Sequence, residues 1–341
     1  MLVGPVIGGV PAGTPFTFYK RKNEDVDMPK PFMTYDQQIE KLKSKGLTLT
    51  DETAAKETLH QIGYYALITG YKDLFKNPTT RNYRDGTTLE DILALYRFDE
   101  HLRELTLHYL FQVERHIRSL LSYAFCVEFG DRQTAYLDPK NYQGSSPKRR
   151  AGIQILISKH LDSLLTRPTN YDYLEHYKRV HGNVPLWVLV NALTFGTLSK
   201  FYEYAAPQVQ TAVSCEFEGV DEGSLTDLLK FLTDYRNRCA HGNRLFSHRC
   251  ATKDIPDLPL HRKMRLPKRG ETYMQGKRDY FAVVIALRYL LPADAFAAYK
   301  RELNRLIQKA VRENRQISEQ ALLMLMGFPP HWKKITQYKK V

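Results

Sequence analysis

Apolar residues recur along this chain at helical spacing, and nowhere does an alternating apolar–polar pattern persist. Leu102, Leu105, Tyr109, Val113, Ile117, Leu120 and Ala124 follow one another at steps of 3 and 4. That is the repeat of one helix face at ~100° per residue. It predicts a long helix over about residues 89–129, with Glu114 and Arg118 as an i, i+4 ion pair along it. Shorter helices are expected over 35–45, ended by Gly46, and from a cap at Thr50 or Asp51 to Ile62. Others follow over 153–165 and 171–180, then one opened by Pro185 and interrupted at Gly196. The pattern continues over 199–204 and 207–217, and the chain closes with helices over 279–291, 294–312 and 318–326. Trp187, Phe195 and the aromatic stretch 64–75 read as core. The expected fold is all-α, a multi-helix bundle of about a dozen helices.

Residues 1–30 mix Gly, Pro and charge and read as a flexible leader. The stretch 138–150, with Pro, Gly, Ser and a basic triplet, reads as a loop between an N-terminal half (31–138) and a C-terminal half (151–335). It is too short to make the halves independent, so one compact unit is expected. Residues 245–277, with Pro256, Pro259, Pro267 and Gly270, read as a long irregular loop. Loops of that length inside a compact domain are usually functional or disordered.

The helix before that loop carries the candidate chemistry. Leu225, Leu228, Leu232, Tyr235 and Cys239 form a buried seam, with Ser224 as N-cap and Gly242 as left-handed terminator. Near its end stands Arg236-Asn237-x3-His241. Asn237 and His241 share the face opposite the seam, while Arg236 points roughly 140° away from His241 on an ideal helix. The two converge only if the last turn loosens near Gly242, or if the partner group comes from elsewhere. A guanidinium binds phosphate oxygens bidentately, an imidazole moves protons near neutrality, and an amide orients either group. Together they suffice for metal-free RNA cleavage, in which the substrate's own 2′-OH is the nucleophile. An Arg and a His at a helix end also complement the helix dipole without further function.

The wider stretch Tyr235-Arg-Asn-Arg-Cys-Ala-His-Gly-Asn-Arg-Leu-Phe246 resembles the Arg-Asn-x-Cys-Ala-His-x-x-Arg-Leu-Trp signature of bacterial abortive-infection (Abi) proteins of the AbiD/AbiF type. Gly242-Asn243 replaces a frequent His-Ser pair, and Phe246 the usual Trp. Four further blocks resemble that family in order: 62–71, 95–103, 185–202 and 326–332. The resemblance implies membership of the HEPN ribonuclease superfamily and a HEPN-like C-terminal half. It implies Arg236, Asn237 and His241 as catalytic residues. It further implies a homodimer that pairs two motifs, since this chain has one good copy.

Charge adds a partner. The net +13 is the sum of three patches: +6 over 249–278, +3 from Lys148, Arg149 and Arg150, and +4 from the C-terminal lysines 333, 334, 339 and 340. Charge gathered in loops and a tail suits a polyanion. The expected RNA contacts are Lys148, Arg149, Arg150, Arg238, Arg244, Arg262, Lys263, Arg265, Lys268 and Arg269. None of the four cysteines stands in a Cys-x2-Cys pair, so neither a metal site nor a disulfide framework is expected, and no cofactor is implied. No signal layout or membrane-length apolar run is present, which points to a cytoplasmic protein without a membrane partner. Three functions fit: an endoribonuclease toxin of phage defence, a non-cleaving RNA-binding protein held by a structured non-coding RNA, or a helical sensor module.

Overall fold

The computed structural model describes residues 31–341, so the expected leader over 1–30 lies outside the described residues. Helices follow one another from Tyr35 to Met326, and the only paired strands among the described residues are Lys268–Arg269 and Thr272–Tyr273. The all-α expectation holds. No helix of the described residues is long and apolar enough to cross a membrane.

The long helix is Leu89–Phe129, and it is the axis of the molecule. Thr88 and Asp91 cap its start reciprocally, and Gly130 ends it at φ 85°. Its 41 residues span roughly 60 Å. Leu102, Tyr109, Val113 and Ile117 of the expected seam are buried, while Leu105, Leu120 and Ala124 are only partly so. Leu95, Phe98, Leu110, Leu121 and Phe125 are buried as well. Helices therefore cover the axis on more than one side: Ala293–Glu313, Pro207–Ser214 and the motif helix Glu222–Ala240 all pack on it. One cluster of buried apolar side chains runs from Ile39 to Ile335.

Several local expectations need correction. The motif helix is capped by Asp221, whose carboxylate accepts Ser224 N–H at 2.7 Å, so it starts a turn earlier than a Ser224 cap would allow. The Trp187 helix breaks at Leu193–Thr194 rather than at Gly196: Thr194 caps the next helix, Phe195–Tyr204, and Gly196 lies in its first turn. Trp187 is not core but 51% exposed, edge-on to Tyr177, whereas Phe195 is buried. Lys148, Arg149 and Arg150 lie not in a loop but in the first turn of Pro147–Ile155, capped by Ser146. The 245–277 segment is irregular yet packed: Leu258, Leu260, Met264, Leu266 and His261 are buried in it.

One buried group ties the axis to the motif. Asp99, fully buried on the long helix, accepts the backbone N–H of Leu245 at 3.0 Å and of Phe246 at 2.7 Å. It also accepts the Tyr71 hydroxyl at 2.7 Å and Arg103 Nη1 at 2.8 Å. Phe246 packs between Tyr71 and Phe98. Asp99→Ala leaves a nearly buried guanidinium and two buried amides without their acceptor. It should cost about 3–5 kcal/mol of unfolding free energy, read from a denaturant titration. A loss below ~1 kcal/mol would show that Asp99 does not hold the post-motif segment.

Candidate functional site

The motif helix closes tidily. Asn243 N–H donates to Arg238 O at 3.1 Å and Gly242 N–H to Cys239 O at 3.2 Å, with Gly242 at φ 66°. This is the Schellman closure, and it requires a left-handed residue where Gly242 stands. The five seam residues from Leu225 to Cys239 are all buried. Helical geometry persists to Ala240, with His241 as C-cap at φ −91° and ψ 7°. The last turn does not loosen, so Arg236 and His241 do not converge within one chain. Asn237 and His241 are exposed on the same face. Neither side chain makes a hydrogen bond within the described residues.

Arg236 turns instead toward the long helix. Its Nε lies 3.9 Å from Glu114 Oε2, and its guanidinium rests over the Phe111 ring at 5.9 Å. Glu114 is 4% exposed and also pairs with Arg118. Arg118 Nη2 donates to Leu193 O at 2.7 Å, the point where the Trp187 helix breaks. Burial pushes the Glu114 carboxyl above its usual range, and the guanidinium groups of Arg118 and Arg236 pull it back. Glu114 Oε2 and Arg236 Nε are both buried without a hydrogen-bond partner, so the pair is held by charge alone.

On the other side of His241 opens a cleft of about 410 Å³, lined by Arg238, Arg244 and Arg249 with Thr69, Gly70, Asp73, Asn243, Ser247 and His248. Behind it, Asp234 Oδ2 meets His248 Nε2 at 2.8 Å and accepts from Cys250 Sγ at 3.1 Å. Burial holds His248 below the usual imidazole range and pushes the Cys250 thiol up. These three ligand atoms lie within 4.8 Å of one another, close enough to serve one cation, and each is also satisfied by its neighbours. Cysteine spacing gave no hint of this cluster, because its members come from the motif helix and the segment after it.

The family model described as Abi-like protein matches residues 57–247, more than half of the chain. The chain belongs to the Abi-like protein family. No curated protein and no solved structure matches it. Within the Abi-like span the resembling blocks meet in space. Tyr71, Asp99 and Arg103 close on Leu245 and Phe246. Arg244 Nη1 reaches Gly70 O at 2.6 Å, and the helix Phe195–Tyr204 packs on the motif helix. The block 326–332 lies beyond the matched span. There Gly327, at φ 81°, leaves no room for a Cβ against Asp279.

The basic residues expected to bind RNA divide. Arg238 and Arg244 stand together in the cleft, joined by Arg249, which the sequence had counted only as loop charge. Arg149 is spent internally: it donates to Gln143 O at 3.0 Å and stacks over Tyr204. Arg150 donates to Gly144 O at 3.0 Å, while Lys148 is exposed. Lys263 reaches the C-terminal backbone, and Lys268 pairs with Glu271. Arg262, Arg265 and Arg269 are exposed, and none of them lines the cleft.

Glu114 is the site residue that sequence reasoning cast only as a helix salt bridge. Its folded pKa is raised, so the fold favours its protonated form. That contribution is complete below the ordinary glutamate range of about 4.3 and is lost as pH rises through the raised value. Glu114→Gln should therefore flatten the fall of stability with pH just above that range. An unchanged pH profile of the unfolding midpoint would remove Glu114 from this role.

Proposed function

We propose that this Abi-like chain is a metal-independent endoribonuclease of HEPN type, a toxin that cuts RNA when phage infection is sensed in the bacterial cytoplasm. One observation carries the reading. The Arg-polar-x3-His signature sits at a rigid helix end with its imidazole and amide exposed and unengaged, beside a cleft of three arginines. In the reaction the RNA 2′-OH attacks the adjacent phosphorus and the 5′-oxygen leaves. His241 removes the 2′-proton or delivers one to the leaving oxygen. Arg236 stabilises the charge that develops on the phosphorane, and Asn237 positions His241 or the scissile phosphate. The nucleophile belongs to the substrate, so the chemistry needs no metal-bound water.

Arg236 and His241 stand roughly 140° apart on one helix, so the reading includes a homodimer in which a second motif completes the site. The long helix supports this. Phe111, Arg115, Ser119, Tyr123 and Val127, four residues apart, form an exposed ridge, and Phe111 carries the Arg236 guanidinium. Tyr123 is 74% and Val127 69% exposed, large apolar groups that a partner surface would cover. The same separation of Arg236 from His241 favours a second reading, RNA binding without cleavage under a regulatory non-coding RNA, if the chain acts alone.

Arg236→Ala and His241→Ala should each lower RNA cutting by ~10²–10⁴-fold, with Asn237→Ala milder. The fold should survive, because His241 is exposed and Glu114 keeps Arg118. Cutting should persist in excess EDTA and leave a 2′,3′-cyclic phosphate with a 5′-hydroxyl, and DNA should stay uncut. Wild-type rates in His241→Ala, or loss of activity on chelation, overturn these roles.

The dimer is tested separately. Activity per chain should fall on dilution, and Tyr123→Glu with Val127→Glu should move that fall to higher protein concentration. Full activity of a species that light scattering shows to be monomeric would sink the two-motif site.

A further inference from the structure

The cleft beyond His241 takes no part in the chemistry above. Its wall sets three guanidinium groups against one carboxylate, Asp73. Each arginine is fastened through one terminal nitrogen. Arg244 Nη1 donates to Gly70 O at 2.6 Å, Arg238 Nη1 to Arg244 O at 3.3 Å, and Arg249 Nη1 lies 3.5 Å from Asp279 Oδ2. A guanidinium carries five N–H donors, so each keeps donors for a ligand while its position is already fixed. Arg238 Nε is buried without a partner. Asp234, a further carboxylate on the motif helix, is engaged by His248 and Cys250 and does not line the cleft.

Placement then selects the ligand. At ~100° per residue the order around the motif helix is Arg236, Asn237, His241, Arg238, which sets Arg238 only about 60° from His241. Asn243 and Arg244 follow in the turn that leaves His241. A strand that presents one phosphate to His241 therefore runs past the arginine cleft with a neighbouring phosphate. About 410 Å³ of open, polar space holds a phosphate with its sugar. We infer that the cleft bounded by Arg238, Arg244 and Arg249 is a subsite for a backbone phosphate of the RNA strand, flanking the bond that is cut. The inference rests on the ribonuclease reading above.

The test uses RNA oligonucleotides in which one linkage at a time is a neutral methylphosphonate, bound to the full-length His241→Ala chain. One position, or two adjacent ones, close to the wild-type cut should lose affinity by ~10-fold, as for one charge-assisted contact. Arg238→Gln in the same background should weaken the all-phosphate RNA by a similar factor and abolish that positional sensitivity. Ser247→Asp, which removes no hydrogen bond and adds a negative wall, should act the same way. If the wild type cuts RNA but no position is sensitive, or the sensitivity survives both substitutions, the subsite is overturned and the ribonuclease reading stands. If the wild type neither binds nor cuts RNA, both fall.

Discussion

The structure depends on one carboxylate, that of Asp99. An ionised group out of water is costly unless every oxygen is engaged. Here Arg103, the Tyr71 hydroxyl and the amides of Leu245 and Phe246 supply the donors. Burial pushes the carboxyl up and these donors hold it down. The arrangement joins three parts of the chain that lie far apart in sequence: the axis helix, the turn at Tyr71 and the segment that leaves the motif. The exit direction of that segment follows from it. So does the reach of Arg244 to Gly70, and with it one wall of the arginine cleft.

A regular helix then decides what the motif can do. Because the Schellman turn closes without distortion, the side chains keep their helical bearings. Arg236 goes to the axis side, where Glu114 holds it at 3.9 Å. Asn237 and His241 face outward, and Arg238 goes to the cleft. Four neighbouring residues thus divide among a buried ion pair, an open face and a basic pocket. The division sends the two guanidinium groups to different sides of the imidazole, which is left exposed.

Periodicity carried much of this. The long helix, the motif seam and the Glu114–Arg118 pair were legible because each is a repeat of three or four residues read against a single axis. Caps were less legible where two candidates lay close together. Asp221 displaced Ser224 because its carboxylate reaches the amide that Ser224 itself carries. Trp187 was misread as core because apolar character does not say which face of a one-turn helix meets a neighbour. The Asp99 contacts had no local signal at all, since the amides they engage lie 146 and 147 positions away in the chain. The Asp234–His248–Cys250 cluster failed for a related reason: its members become neighbours only when the segment after the motif folds back beside the helix.

Net charge was the coarsest guide, and packing shows why. Three of the nine basic side chains in the 249–278 segment are paired with its own three acids: Lys277 meets Asp257 at 2.6 Å, Arg278 lies 3.8 Å from Asp254, and Lys268 pairs with Glu271. Arg149, in the triplet, serves as a backbone clamp. Charge that is paired or clamped adds little to the attraction a polyanion feels, because a phosphate arriving there must first displace a partner. What remains decisive is charge held in place but not used up. Arg238, Arg244 and Arg249 meet that condition: each is anchored through one nitrogen, and all three open on the same cleft one turn from His241. On the proposed ribonuclease reading, the position of a guanidinium beside the motif, rather than the total of +13, is the feature that an RNA strand reads.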